Sequence, residues 1–319
     1  MMTQQKQSEL APVILFTYNR PDHTKQVLDQ LAKNYLAPSS ELFIFCDGPK
    51  NENAVEKNNA TREIIKREEK LGRFRTVHVE ISEENKGLAN SIISGVTKII
   101  EKYGCCIVLE DDLLTSKYFL SYMNDAVKFY RTNEKIWSVT GFSFALKTLA
   151  NYPHDVYLSY RANSHSWATW VDRWKKVDWQ VSDFEELSHS LKKISHFNRG
   201  GNDLFRMLRH QMRGERDSWA IRFCYSQSKY DMYTIYPKYS MIKNIGFDGT
   251  GTHCQNNCSI DYSSFRDDIQ GFHIENVNLD RAIVKEFKSM YRVKFGEAVE
   301  WGFKKIKSIL ERKKGNVQS

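Results

Sequence analysis

The chain has 319 residues, 41% of them hydrophobic and 27% charged, enough to bury a large core in one big domain or in a domain with an appendage. Its formal net charge of +8 gathers near the C-terminus, where eleven Lys or Arg stand against four Glu from residue 281 onward, so the body is close to neutral. That distribution argues against a surface that coats nucleic acid, and six Cys without a C-x-x-C pair argue for a reduced, cytosolic chain rather than a disulfide framework.

Residues 1–11 read as a disordered N-terminus. The opening run lacks an apolar core of the kind a signal peptide needs, and no stretch approaches the roughly 18–20 apolar residues of a spanning helix. The expectation is a chain neither exported by a recognisable signal nor membrane-spanning. Pro12 to Thr17 is a short apolar run, read as a buried strand of parallel type. Asn19-Arg20-Pro21 breaks it, Asp22 is placed to cap the following helix, and Val27, Leu28, Leu31 and Tyr35 fall on one face of that helix.

Leu42–Cys46 is a second strand, ending in the turn Asp47-Gly48-Pro49. A charged amphipathic helix over about 53–71 precedes a strand at Thr76–Val79, and Gly87 opens a helix running to about Tyr103. The strand Cys105–Leu109 runs straight into Glu110-Asp111-Asp112, after which Thr115 is read as the cap of another helix. Strands and helices alternating at this spacing predict βαβ units, an α/β fold with a mostly parallel sheet covered on both faces. In such sheets ligands sit beyond the carboxyl ends of the strands. Three of those ends carry polar or charged groups: Asn19-Arg20, Asp47 and Glu110-Asp111-Asp112.

Beyond Ile136–Gly141 the pattern loosens. Short strands at Val156–Tyr160, Met232–Tyr236 and Ser240–Ile242 mix with aromatic and basic helices, and no linker separates this half from the first. Trp167, Trp170 and Trp174 follow Ser164-His165-Ser166 at helical spacing and read as core, with Trp167 at the helix start near the cleft as the competing reading.

No G-x-G-x-x-G or G-x-x-x-x-G-K-[ST] motif is present, which argues against a dinucleotide dehydrogenase or a P-loop enzyme. Phosphates bound here need a metal or side chains to neutralise them. Glu110-Asp111-Asp112 fits that need, because adjacent carboxylates at a buried strand end repel one another and a hard cation such as Mn²⁺ or Mg²⁺ relieves the repulsion. Taken by itself, the triplet reads more readily as a solvated acidic turn at a helix start. The other two polar strand ends favour the cation.

The run Ile107-Val108-Leu109-Glu110-Asp111-Asp112-Leu113, followed by Tyr118-Phe119-Leu120-Ser121-Tyr122, resembles the metal-binding segment of GT-A glycosyltransferases. It is most similar to the N-acetylglucosaminyltransferase I type, in which Glu-Asp-Asp replaces the usual DxD. Tyr18-Asn19-Arg20-Pro21, the strand ending at Asp47 and Trp137-Ser138-Val139-Thr140-Gly141 extend the likeness over roughly residues 12 to 255, and Lys86-Gly87 falls where family-2-like relatives place a nucleotide-contacting loop.

The resemblance implies a GT-A domain over 12–278, with a nucleotide-binding half to about 145, an acceptor half from 146, and a basic helical tail over 279–319. It implies that Arg20 and Asp47 contact the nucleoside, that Lys86 lies at the nucleotide, that Glu110 and Asp111 serve the base or ribose, and that Asp112 binds the metal. Gly214-Glu215-Arg216-Asp217-Ser218-Trp219 resembles the family's Asp-Asp-Trp segment, which makes Asp217 the expected catalytic base and Glu215 its competitor. It departs from the pattern at Ser218, and a helix N-cap is the alternative role for Asp217. In the glycine-rich turn Asn244 to His253, His253 is the expected further metal ligand, with Asp248 as the other candidate.

The implied activity is inverting, metal-dependent transfer from a nucleoside-diphosphate sugar, with a UDP-sugar favoured, to a glycan or lipid-linked saccharide in bacterial polysaccharide synthesis. A sugar nucleotidyltransferase and a non-catalytic nucleotide- or sugar-binding protein are the alternatives. The first usually needs a Gly-rich, cationic first loop, which is missing. The apolar positions Ile283, Phe287, Tyr291, Phe295, Val299, Phe303, Ile306 and Leu310, set among Lys and Arg, read as basic amphipathic helices. They suit either an anionic membrane surface, making the protein peripheral on the cytoplasmic face, or packing on the body.

Overall fold

The computed structural model describes residues 10–246 and 263–291. The first half alternates strictly: β1 (Val13–Thr17), α1 (Pro21–Leu31), β2 (Glu41–Cys46), α2 (Glu52–Leu71), β3 (Thr76–Ile81), α3 (Leu88–Tyr103) and β4 (Cys105–Glu110). Next come β5 (Leu113–Thr115), α4 (Phe119–Tyr130), β6 (Ile136–Thr140), β7 (Val156–Ser159) and β8 (Trp167–Trp170). A helical group follows, α5 (Val171–Trp174), α6 (Phe184–His189), α7 (Leu191–Phe197), α8 (Leu204–Met212) and α9 (Trp219–Lys229). Then β9 (Tyr233–Pro237), β10 (Ile242–Asn244) and α10 (Arg281–Ser289) complete the described elements.

Eight strands form one sheet in the order β3-β2-β1-β4-β8-β6-β9-β7, and β10 pairs with β5 in a separate two-stranded sheet. The neighbours β3, β2, β1 and β4 are parallel, as are β6 and β9, whereas β8 runs antiparallel to both β4 and β6 and β7 runs antiparallel to β9. This is a mixed, mostly parallel α/β sheet with helices on both faces, the Rossmann-like arrangement expected of a GT-A domain. One face packs α1 and α4 through Val27, Leu28, Leu31, Met123 and Val127; the other packs α3 and α9 through Ile92, Val96, Ile99, Trp219 and Phe223. The fully buried residues of β1 (Val13, Ile14 and Leu15) alternate between these two cores, which is why that strand reads as an unbroken apolar run.

Several local expectations change. Pro21 occupies the first turn of α1 and Arg20 is its N-cap residue, so Asp22 makes no side-chain cap bond. Tyr35 lies beyond that helix and is 60% exposed. Thr115 ends the strand β5, its hydroxyl accepting from Asn34 Nδ2 at 3.0 Å, and α4 begins only at Phe119. The Trp segment is strand from Trp167 to Trp170, and only Trp174 lies in a helix. In a strand, positions three apart face opposite sides. Trp167 accordingly packs against Trp174 and Trp219 in one core, while Trp170 joins the other. Trp167 is 1% exposed, and the core reading stands.

At the far end, Ile283 and Phe287 of α10 pack with Phe142, Tyr157 and Tyr236. The start of the basic segment therefore lies on the body. Among the described residues no helix is long and apolar enough to cross a membrane.

Candidate active site

Chain order places the site. From β1 the connections run outward through β2 to β3, then return across the sheet to β4 on the other side of β1. The loops after β1 and β4 therefore part in opposite directions and open a crevice between them, where doubly wound sheets bind ligands. A cavity of about 640 Å³ lies there. Arg20, Asp47, Lys86, Glu110, Asp111, Asp112 and Asp217 all line it, so seven of the eight expected site residues converge. The eighth, His253, lies outside the described residues, as does Asp248.

The floor is acidic. Arg20 Nη1 donates to Asp112 Oδ2 at 3.1 Å and stands 3.9 Å from Asp111 Oδ1, and the Tyr18 backbone N–H donates to Asp111 Oδ2 at 3.4 Å. One guanidinium against three carboxylates leaves a surplus of negative charge. Burial, then repulsion by Asp112 and Asp111, pushes Glu110 well above the usual carboxylate range. Burial and Asp112 push Asp111 up to about 7, against the pull of Arg20.

A divalent cation fits this surplus, since hard carboxylate oxygens are its preferred ligands. Among the described residues, however, no group of three or more His, Cys, Asp or Glu side chains forms a ready cage. The donor set therefore suits an ion that takes one or two protein ligands and completes its shell with substrate oxygens and water. A Cβ added to Gly246 would lie only 2.2 Å from Asp112 Oδ2, so the loop after β10 closes directly over this carboxylate.

Asp47 is differently employed. Its Oδ1 accepts from the backbone N–H of Gly48 (3.0 Å) and Lys86 (2.9 Å); its Oδ2 accepts from the N–H of Gly87 (3.0 Å) and from Asn85 Nδ2 (3.2 Å). The carboxylate ties the end of β2 to the start of α3 and satisfies N–H groups of the kind a helix start leaves open. Gly87 permits the arrangement because its φ of +77° is costly for a side-chain-bearing residue. Lys86 is thereby fixed by its backbone while its side chain stays exposed at the rim.

Asp217 lies across the crevice. Ser218, not Asp217, caps α9, its side chain accepting from the Ile221 N–H, so a capping role does not account for Asp217. Arg222 Nη2 donates to Asp217 Oδ1 at 3.2 Å, and Oδ2 lies 3.9 Å from where a Cβ of Gly87 would stand. Glu215 pairs instead with His210 and does not line the cavity. The carboxylate facing the crevice from this segment is Asp217.

Sequence reasoning passed over three contributors. Tyr18 organises the strand ends: its carbonyl accepts from Asn58 Nδ2 (2.7 Å) and its hydroxyl from the Lys50 N–H (2.9 Å). Gly246 was visible only as part of a glycine-rich turn. His165, quoted in the sequence only as part of the flank of the Trp segment, also lines the cavity.

No known family model matches the chain, and neither does any curated protein. Among solved structures, the chain is similar to TarS from S. aureus at 15% identity and a TM-score of 0.32, over 41% of this chain but only 21% of TarS. It is similar to the mannosyltransferase PcManGT from Pyrobaculum calidifontis, solved with GDP-Man and Mn²⁺, at 12% identity and a TM-score of 0.36, over 71% of this chain and 73% of that one. A UDP-glucose pyrophosphorylase in complex with UDP-glucose matches at 12% identity and a TM-score of 0.36, over 74% of this chain and 92% of its own. These are distant likenesses, and the functional reading of the chain stands on the site itself.

Proposed function

We propose that the chain is a glycosyltransferase that moves a sugar, with inversion, from a nucleoside-diphosphate sugar to a saccharide or lipid-linked saccharide acceptor. The carrying observation is the convergence of Arg20, Lys86 and Glu110-Asp111-Asp112 in one switch-point cavity that Asp217 faces from the opposite side. The resemblance to the N-acetylglucosaminyltransferase I type makes a UDP-sugar the first donor to test, and bacterial surface polysaccharide the pathway.

In this reading Arg20 and Lys86 bring cationic side chains to the nucleotide, and Glu110 and Asp111 lie on its base and ribose side. Asp47 serves the nucleotide through the loop it holds. A Mn²⁺ or Mg²⁺ ion held at Asp112, with His253 as the further ligand, would neutralise charge on the departing diphosphate. Asp217 accepts the proton of the acceptor hydroxyl as that oxygen bonds to the anomeric carbon; the bond to the diphosphate breaks and the nucleoside diphosphate leaves. The basic segment beyond α10 docks the enzyme on an anionic membrane surface, on its cytoplasmic side, where a lipid-linked acceptor is presented.

A thermal-shift screen of nucleoside diphosphates and their sugars, with and without Mn²⁺, tests the donor assignment. Stabilisation by one nucleotide class, dependent on the ion, is expected, together with acceptor-dependent release of the nucleoside diphosphate. No stabilisation by any of them would remove the reading, and release of pyrophosphate from a nucleoside triphosphate and a sugar phosphate would replace it with a nucleotidyltransferase.

A further inference from the structure

His165 has three properties that the role of core residue leaves unused. Its position follows from register. β8 pairs antiparallel with β4 from Cys105↔Trp170 to Val108↔Trp167, so the residues just before Trp167 reach the carboxyl end of β4, and His165 lines the same cavity as Glu110, Asp111 and Asp112. An antiparallel strand inserted among parallel ones thus delivers its beginning, not its end, to the ligand-binding edge.

Its tautomer is set next. The Asn163 side-chain oxygen accepts the His165 backbone N–H at 2.7 Å and lies 3.1 Å from His165 Nδ1. The backbone N–H can only donate, so the Asn163 atom is the carbonyl oxygen and Nδ1 must carry the proton. In the neutral ring Nε2 then keeps a lone pair, and no hydrogen bond to it forms among the described residues.

Its orientation is also fixed. Phe142 packs on the ring at 5.0 Å, Thr140 Oγ1 donates to the His165 carbonyl at 3.3 Å, and Ser166 follows at φ +56°, a strained conformation for a residue other than Gly. An imidazole whose Nδ1–H is held by a carbonyl oxygen, in a cavity that the Asp112 carboxylate also lines, is the arrangement of a metal-ligating His and its supporting residue.

We propose that His165 supplies, through Nε2, an additional protein ligand to the divalent cation bound at Asp112. The inference rests on the reading of the carboxylate cluster as a cation site. An imidazole ligand favours Mn²⁺ over the harder Mg²⁺, so the pair Asp112 and His165 also sets metal preference.

Mn²⁺ binding followed by electron paramagnetic resonance, with pulsed detection of ¹⁴N coupling, tests it on the full chain with Mn²⁺ alone and with UDP. Wild type is expected to show imidazole nitrogen coupled to the ion. His165→Gln should bind Mn²⁺ about tenfold or more weakly, with a smaller change for Mg²⁺, His253→Gln alone should keep a ¹⁴N signal, and His165→Gln placed in the His253→Gln background should abolish it. Asn163→Ala, which keeps the ring and frees its tautomer, should weaken Mn²⁺ binding by about tenfold, and it serves as the readout if His165→Gln fails to fold. A ¹⁴N coupling that survives His165→Gln in the His253→Gln background, or unchanged affinity in Asn163→Ala, overturns the inference while the cation site stands. No Mn²⁺ binding by wild type, with or without UDP, removes the cation site and this inference together.

Discussion

Gly246 leaves room for the Asp112 carboxylate: a Cβ at position 246 would lie 2.2 Å from Oδ2 and 3.1 Å from the Asp112 Cβ. The loop after β10 can therefore close on Asp112 only while residue 246 has no side chain. Gly246→Ala should displace Asp112 and weaken Mn²⁺ binding by about tenfold or more, as loss of a well-placed supporting contact does at metal sites. Calorimetric titration with Mn²⁺ checks this. Wild-type affinity in the variant would mean that Asp112 does not hold the ion.

Asp47 holds the Asn85–Gly87 loop with both oxygens, so its removal is first a folding defect. Asp47→Asn preserves shape but turns an amide NH₂ toward backbone N–H groups, leaving at least one donor unsatisfied. The expected cost is about 1–3 kcal/mol, a melting temperature lower by roughly 2–10 °C. Nucleotide affinity should fall along with it because Lys86 loses its anchor. A variant with unchanged melting temperature but lost nucleotide binding would instead make Asp47 a direct nucleotide contact.

Asp217 separates binding from chemistry. Asp217→Asn should retain donor affinity and lose transfer by roughly 10²–10⁴-fold, the usual worth of a general base. Donor titration beside product quantification gives both numbers. Undiminished turnover would end the assignment.

The C-terminal helix carries a pH-sensitive tie. Glu286 accepts from the backbone N–H groups of Lys147 and Thr148, both at 2.8 Å, and from the Thr148 hydroxyl at 2.7 Å. Burial alone would raise its pKa, but the Thr148 and Lys147 bonds outweigh that and hold it below the ordinary 4.5. A depressed folded-state pKa gives stability that is complete above the unfolded value and lost as pH falls through the folded one. Glu286→Gln should therefore cost up to about 1 kcal/mol at neutral pH. In thermal melts the gap between wild type and variant should narrow as pH falls below the ordinary 4.5 and close only below the depressed folded-state value, where both are uncharged. A gap that persists in acid would show the bonds to be independent of charge.

The parallel half was legible because β1 and β4 are buried on both faces, β2 alternates buried with half-buried positions, and the helices α1 and α3 keep their apolar spacing: β1, β2 and β4, and the polar groups at their ends, follow from pattern alone. The Trp segment misled because Trp167 and Trp170 satisfy a helical period, and only the tertiary decision to pair β8 between β4 and β6 places them on opposite faces. The same decision hid His165, whose place in the cavity depends on a partner strand some sixty residues earlier in the chain. Asp47 was recognisable as a turn residue, but its second partner, the Asn85–Gly87 loop, was not, because nothing local in either segment encodes that pairing.

That central antiparallel strand also dictates an order of assembly. The contacts of β1 to β4 lie within the first 110 residues, and emerge first during synthesis, whereas β4 acquires its second neighbour only after Trp167 exists. Until then β4, the apolar run that ends in the acidic cluster, is an open sheet edge, the kind that recruits foreign strands. Long-range pairing of this sort is slow. The first parallel strands are thus ready early but sticky, and the strand that follows His165 also seals the edge that threatens the nascent chain with aggregation.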